Sequence, residues 1–409
     1  MDRDDAAMTY DFLDEFAGPG GWDEGARLLG LTGIGIEHDL TACQTAMRAG
    51  HARICADVTT LPSTPFQGIP GYVASPPCQA WSMAGNRLGE ADRAACHQLV
   101  DRIAAGDDST DWREWADPRS PLVAHPVTRI RDLRPEWVAL EEVPSVGPLW
   151  EHIAHILRGW GYSTWTGDLL AADYGVPQTR LRRILIASRV RTVGPPAPTH
   201  AEHPGDVDLF GETLLPWVSW GQALGSGPDE PAATISGGGA ATGGWEPFAN
   251  AAYRSRVLDR RTNSKGPRGT TVPSPIVGDD RPAPTLTSVG VRSQLVLRGG
   301  NQPNAAVRAD ARPAPTILFG HQGNDVRIYP AGETERGRPE PAATRSPNSR
   351  LLDIWEAGVL QSFPAEYPWQ GSRTKQGQQV GNAVPPLLAA HVLAAATGRS
   401  VAEALGGAA

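Results

Sequence analysis

Asp14-Glu15-Phe16-Ala17-Gly18-Pro19-Gly20-Gly21 follows a short apolar run and leads into a helix-like stretch that ends near Leu29. A strand running into glycines and then into a helix lets backbone approach a ligand closely, with the positive end of the helix beside it. Outward from this turn the pattern repeats. Ile34-Gly35-Ile36 reads as a strand ending at Glu37, 41–49 as a helix, and the next short run as a strand ending at Asp57. Gly71 to Ala74 is a further strand, stopped by Ser75-Pro76-Pro77. After a polar loop, 121–134 and 147–159 read as helices, with strands at 136–141 and near 162–170 and 183–188. Such βαβ alternation predicts an α/β fold, a doubly wound and mostly parallel sheet with helices on both faces.

The chain has 409 residues, of which 40% are apolar and 20% charged. This suggests two or three domains of roughly 150 residues each and excludes a wholly disordered or collagen-like chain. The longest apolar stretch, Leu387 to Ala396, is too short for a membrane span, and the opening Met1-Asp2-Arg3-Asp4-Asp5 carries no secretory signal pattern. Cys43, Cys55, Cys78 and Cys96 form neither a CxxC pair nor a disulfide framework. A soluble, cytoplasmic protein without a metal centre is expected.

From about 190 to 345 the texture changes to Pro, Gly, Ser and Thr, and helical periodicity disappears. A phrase recurs as Pro231-Ala-Ala-Thr234, Pro282-Ala-Pro-Thr285, Pro313-Ala-Pro-Thr316 and Pro341-Ala-Ala-Thr344. Proline at the entry and glycine at the exit suit short, turn-bounded strands. Helical patterns return at 350–361 and 385–397. Charge is segregated as well. Net charge is −8, yet residues 251–350 contain 16 Arg or Lys against 8 Asp or Glu, whereas 201–250 contains seven acids and no Arg or Lys. A basic lobe on an acidic body suits a chain in which one domain meets phosphate. Its densest cluster is Arg254, Arg256, Arg260, Arg261, Lys265 and Arg268. Thirty-five of the 37 basic residues are Arg, which fits bidentate recognition and equally a GC-rich genome.

Two sites carry chemistry. Phe16, Ala17, Gly18, Gly20 and Gly21 form the turn, and Glu37 stands at the next strand's end, where a carboxylate can take both ribose hydroxyls. Asp57 at the third strand end could accept from an adenine amino group. This constellation points to an adenosine-containing cofactor, and Rossmann dehydrogenases share its logic. Ala74-Ser75-Pro76-Pro77-Cys78-Gln79-Ala80-Trp81-Ser82 places a cysteine just past a strand's carboxyl end, the ligand-binding edge of such sheets. A lone cysteine is usually a small buried hydrophobe. Flanking prolines and polar neighbours argue for a nucleophile here.

Taken together, these blocks resemble the DNA cytosine-5 methyltransferases. The family's further signatures follow in order: Glu141-Glu142-Val143-Pro144, then Gln178-Thr179-Arg180-Leu181-Arg182, then Arg350 to Pro364, then Gln379-Val380-Gly381-Asn382-Ala383-Val384-Pro385-Pro386. The resemblance covers about 250 residues, Asp14 to Arg189 and Arg345 to the end. It implies a Rossmann-like S-adenosylmethionine-binding catalytic domain over 1–190. It also implies a smaller, irregular β-rich target-recognition domain over 191–345, and a segment, 346–409, that returns to complete the catalytic domain. Cys78 would be the nucleophile, Glu141 the carboxyl group opposite it, and Arg180 and Arg182 the supporting cations. S-Adenosylmethionine, leaving as S-adenosylhomocysteine, would be held by the turn, Glu37, His38, Asp57, Pro77, Asn382 and Val384. Gln79, Ser82, Gln178 and the basic cluster would meet double-stranded DNA. Residues 79–100 read as a polar, flexible stretch suited to close over a flipped base. A monomer is expected, and a cognate restriction endonuclease is a partner the resemblance admits.

The sequence departs from the family pattern in places. Glu142 replaces the usual asparagine, Glu15 an apolar residue, and Asp353 a common threonine; His38 stands where an aromatic, often tryptophan, covers the adenine. Only one of Glu141 and Glu142 can face the pocket from a strand, and position favours Glu141. Alternatives are a tRNA cytosine-5 methyltransferase, a catalytically inactive DNA-binding relative, and a dinucleotide-dependent oxidoreductase. The long Arg-rich segment favours DNA over tRNA. The intact Cys78, Glu141 and Arg180 set opposes an inactive relative, and the Pro-Pro-Cys-Gln block has no work in an oxidoreductase.

Overall fold

The computed structural model describes residues 10–81, 88–110, 115–203, 205, 213–225, 313–315 and 350–401, and the strand segments 263–265, 271–273, 294–298, 306–309 and 325–329. The first eight strands are β1 (Phe12–Glu15), β2 (Gly33–Glu37), β3 (Ala52–Cys55), β4 (Gly71–Ala74), β5 (Trp137–Glu142), β6 (Ser163–Leu170), the two-residue β7 (Gln178–Thr179) and β8 (Leu181–Ser188). Seven of them make one sheet in the order β3-β2-β1-β4-β5-β8-β6. β1 to β5 run parallel, and β8 runs antiparallel between β5 and β6. β4 and β5 are buried along their whole length. That is why they read as nearly continuous apolar runs rather than alternating ones.

The connecting helices are α1 (Gly21–Leu28), α2 (Leu40–Arg48), α3 (Gly89–Ala104), α4 (His125–Leu133) and α5 (Gly147–Gly159), followed by α6 (Trp220–Ala223), α7 (Ile354–Leu360), α8 (Arg373–Asn382) and α9 (Pro386–Thr397). One core joins α3, α4 and α5 to the sheet through Leu99, Val100, Ile103, Val127, Ile130, Leu149 and Ile153. A second core joins α1 and α9 to it through Trp22, Ala26, Leu388, Val392 and Leu393. Thus the chain's end returns to the first helix. Gly21 makes that return close, since a Cβ there would collide with the Val384 carbonyl oxygen. The stretch Arg373–Thr397 is two helices separated by residues 383–385, and α9 is buried in this core.

The remaining strands are β9 (His200–Ala201), β10 (Leu215–Pro216), β11 (Asn263–Lys265), β12 (Thr271–Pro273), β13 (Gln294–Arg298), β14 (Ala306–Ala309), β15 (Ala314–Pro315), β16 (Asp325–Tyr329) and β17 (Arg350–Leu351). A four-stranded antiparallel sheet has the order β14-β13-β16-β17. One copy of the recurring proline phrase has a described structural role: β15 pairs with β7, and the Ala314 amide donates to the Pro177 carbonyl at 2.8 Å.

Several expectations change. The polar stretch at 79–100 is not a continuous loop, because Gly89–Ala104 is a 16-residue helix. Cys96, Leu99, Val100 and Ile103 form its buried stripe, narrow enough to be hidden in a polar sequence. A helix at 373–382, rich in Gln and Gly, was equally unmarked. The third strand stops at Cys55, and Asp57 instead caps a short 3₁₀ turn.

Glu15 explains its own departure from an apolar residue. It is fully buried, and its Oε1 accepts from Arg129 Nε at 2.6 Å and its Oε2 from the Tyr72 hydroxyl at 2.8 Å. His125 Nε2 lies 3.3 Å away. Arg129 is itself buried and also donates to Ser63 Oγ and the Val58 carbonyl. Burial alone would push the Glu15 carboxyl up, but His125 and Arg129 outweigh it and hold it below its ordinary value. The carboxylate therefore stabilises the fold above its unfolded pKa of about 4.3, and that contribution is lost as pH falls through the depressed folded value. Arg129→Met is expected to destabilise the protein by roughly 3–5 kcal/mol at pH 7, because it strips a cation from a buried carboxylate. Urea unfolding at pH 7 and pH 3 checks this, with the deficit narrowing at the lower pH.

Candidate active site

In the sheet order, β2 and β4 flank β1 on opposite sides, so the chain leaves β1 and β4 in opposite directions. The carboxyl ends of these strands open a crevice of the kind in which α/β sheets bind ligands. A cavity of about 360 Å³ lies there. Phe16, Ala17, Gly18, Gly21, Glu37 and His38 line one part of it, and Pro77, Cys78, Gln79, Glu141, Arg180 and Arg182 line another. Asn382 and Val384 close it from the C-terminal segment.

The glycine-turn end is tightly pre-arranged. Phe16 has φ 59°, a left-handed conformation unusual for an aromatic residue and of the kind found at functional sites. The Gly18 amide donates to Glu37 Oε2 at 2.9 Å, and the Asp39 amide donates to Oε1 at 2.7 Å. Burial opposes ionisation of Glu37, but these hydrogen bonds and His38 prevail and hold its carboxyl below its ordinary value. His38 is largely exposed, with Nδ1 3.1 Å from Glu37 Oε1, and that contact raises its own pKa. Trp22 Nε1 donates to Ser75 Oγ at 2.9 Å, fastening α1 to the segment that carries Cys78.

The Cys78 end is a wall of buried charge. Pro76 and Pro77 lead into a 3₁₀ turn, Cys78–Ala80, at the end of β4. Because β8 is antiparallel to β5, its beginning meets the end of β5. Arg182 Nε therefore pairs with Glu141 Oε1 at 2.8 Å, both side chains being buried. Arg180 is almost fully buried and donates to the Gly381 carbonyl at 3.0 Å. Burial first and the neighbouring Arg182 second lower its pKa to about 9. The Cys78 thiol is pushed up to about 11, by burial and then by the Glu142 carboxyl, against Arg182 and Arg180. Glu141 faces the cavity, and Glu142 lies behind the lining.

Not every expected residue reaches this cavity. Gly20 lies beneath the turn at φ 112°, against His51 and Tyr367. Asp57 is exposed and spends Oδ1 on the Thr59 amide and hydroxyl, so it is not part of the lining. Gln178, expected at DNA, is fully buried where β7 pairs with β15. Ser82, Arg254, Arg256, Arg260, Arg261 and Arg268 lie outside the described residues, as does the side chain of Lys265. The lining also includes Gln379 of the last signature block and residues that the sequence reading did not single out: Asp39, Arg119, Leu122, Lys375 and Gln378. Arg119 arrives through a relay. Asp92 on α3 accepts from the Ala116 and Asp117 amides, and Asp117 holds the Arg119 guanidinium at 2.6 Å. Lys375 Nζ meets Asp39 at 2.6 Å, joining α8 to the end of β2. Its signal was scarcity, since Lys265 and Lys375 are the only two lysines of the chain.

The C-5 cytosine-specific DNA methylase family model matches residues 10–104, 109–205 and 291–397, which is more than half of the chain. The chain belongs to that family. Type II methyltransferase M.DdeI of Desulfomicrobium norvegicum is 26% identical to it, over 92% of this chain and 86% of the relative. Type II methyltransferase M1.HphI of Haemophilus parahaemolyticus is 24% identical, over 93% and 85%. Among solved structures, the Dnmt2 methyltransferase of S. pombe superposes with a TM-score of 0.52 at 15% identity, over 93% of this chain and 96% of that one.

A thiol held near pKa 11 is almost wholly protonated at neutral pH. Iodoacetamide at pH 7.5 is therefore expected to modify exposed Cys55 well ahead of Cys78. The Cys78 rate should climb steeply with pH, and peptide mass spectrometry of timed samples reads both rates.

Proposed function

We propose that the chain is a modification enzyme that transfers a methyl group from S-adenosylmethionine to C5 of a cytosine in double-stranded DNA. The observation that carries this reading is the single cavity lined at once by the Phe16–Gly18 turn with Glu37 and by Cys78 with Glu141, Arg180 and Arg182. Its volume falls in the range of small-molecule sites, roughly 300–1,000 Å³. The cofactor fits the residues present. Glu37 offers a carboxylate already fixed by two amides for ribose hydroxyls, Phe16 an aromatic face, and the start of α1 a positive helix end. Asn382, Val384 and Pro77 complete that part of the lining, and His38 stands at its edge. S-Adenosylmethionine supplies the sulfonium methyl group when bound.

The chain's own residues do the rest. Cytosine C5 is a weak nucleophile inside a stacked duplex, so the base must first swing out, at a cost of a few kcal/mol. The Cys78 thiol then loses its proton to solvent and its sulfur bonds to C6, while the electron pair of the C5–C6 double bond becomes available at C5. N3 takes up a proton as charge builds there and donates it in a hydrogen bond to the Glu141 carboxylate, which Arg182 holds in place, with Arg180 facing the O2 side. After C5 has taken the methyl group, loss of the C5 proton and cleavage of the sulfur–C6 bond restore the ring and the thiolate. Residues 1–190 and 346–409 would form the catalytic domain. The basic segment within 191–345 would grip DNA, the protein acting as a monomer in the cytoplasm of a bacterium or phage-infected cell. The similarity to type II methyltransferases supports the modification role. The long Arg-rich segment favours DNA over tRNA.

Bisulfite sequencing of DNA from cells expressing the chain tests the proposal. Cytosines protected within one recurring sequence context are expected, and none in cells expressing Cys78→Ala. Full conversion of every cytosine with the unaltered chain, or protection surviving in Cys78→Ala, would overturn it.

A further inference from the structure

Glu142 is a carboxyl group that the reaction does not use, set in the wall behind Cys78. It is 1% exposed. Its Oε2 accepts from the Val143 amide at 2.6 Å, and its Oε1 is buried with no hydrogen-bond partner among the described residues. Among the described residues no cation pairs with it. Arg182 is committed to Glu141, its neighbour on β5. Arg183, its register partner on β8, turns to Asp168 at 2.9 Å and toward Glu151. Arg180 reaches the Gly381 carbonyl. Arg93 on α3 pairs with Glu90 and donates to the Ser145 carbonyl. A carboxylate here would be desolvated, unpaired and beside the negative charge of Glu141, a combination that buried groups avoid by staying protonated. Burial and Glu141 together push this carboxyl well above its ordinary value.

The position matters because of what Glu142 adjoins. The Val143 amide it holds opens the 3₁₀ turn Pro144–Val146, and within that turn Ser145 Oγ donates to the Trp81 carbonyl at 2.9 Å. Trp81 directly follows the Cys78–Ala80 turn. The carboxyl group is thus coupled to the nucleophile both through this bracing and through space.

We infer that Glu142 is a positioning residue that works as a neutral carboxylic acid, bracing the Cys78 turn in place of an amide, and that its ionisation opposes that of the Cys78 thiol. The inference rests on the proposed role of Cys78 as nucleophile. The coupling has a direction. At neutral pH residue 142 is uncharged, and Cys78 meets only the Arg180, Arg182 and Glu141 charges. As pH rises, a carboxylate forms at 142 and holds back the thiolate, so the rise of thiolate with pH is delayed, a delay that an amide at this position would remove.

The test compares wild type with Glu142→Gln, and with Glu142→Asn as a second neutral variant should the first fold poorly. The iodoacetamide rate at Cys78, resolved by peptide mass spectrometry, is followed from pH 7 to pH 10. The ratio of variant to wild-type rate is expected to lie near one at pH 7. It should reach roughly tenfold by pH 10, the equivalent of one pKa unit. The rise of kcat/KM for DNA methylation with pH should set in at lower pH in the variant. A ratio that stays constant across the range, or falls below one, would overturn the inference by reducing Glu142 to a packing role. Alkylation needs neither DNA nor cofactor. A chain that methylates nothing would therefore defeat the proposed function while leaving the Glu142–Cys78 coupling independently decided.

Discussion

The direction of one strand governs the site. β8 is antiparallel to β5, and only this reversal brings Arg180 and Arg182, at the start of β8, beside Glu141 and Glu142 at the end of β5. A parallel strand would carry the two arginines to the opposite edge of the sheet, a full strand length from Cys78. The 2.8 Å pair between Arg182 and Glu141 is the local outcome. It allows a carboxylate to sit buried against the nucleophile's wall, which an isolated charge could not do. β15 extends the arrangement by pairing with β7 just before β8, so the segment bearing both arginines is fixed from two sides.

That wall has a chemical consequence. Two arginines and two glutamates crowd a nearly dry space, and their effects on Cys78 oppose one another. Burial dominates, leaving the thiol protonated at rest. A cysteine so disfavoured as a thiolate is protected from adventitious alkylation and oxidation. The cofactor end is built on different logic. There Glu37 is kept ionised by the amides of Gly18 and Asp39, and the turn holds strain at Phe16. One end of the cavity is therefore ready to accept hydroxyl donors, and the other keeps its thiol protonated.

Much of this was legible in the sequence because the features are local. The glycine turn, the proline-flanked cysteine and the parallel strands depend on residues adjacent in the chain, and their positions agree with the structure to within a few residues. What escaped notice depended on distant contacts. α3 buries only a narrow stripe around Leu99 and Ile103, so its polar face gave it the texture of a loop. Arg119 reaches the cavity only because Asp92, 25 residues before Asp117, pins the backbone of the intervening loop. Lys375 is in place because α8 folds back to Asp39, 336 residues away in sequence. Gln178 belonged to a recognisable block, yet β15 covers it, and no local pattern announces that pairing. Glu15 read as an anomaly until Arg129 and His125 were placed around it.

The account rests on a bond forming between Cys78 sulfur and a pyrimidine ring. Duplex DNA with 5-fluorocytosine at the methylated position tests that bond, because the fluorine blocks loss of a proton from C5 and stalls the reaction. Incubation with S-adenosylmethionine should yield a stable protein–DNA adduct whose proteolytic map places the nucleotide on the peptide containing Cys78. An active protein that gives no adduct with this DNA, or an adduct on any other peptide, would contradict it.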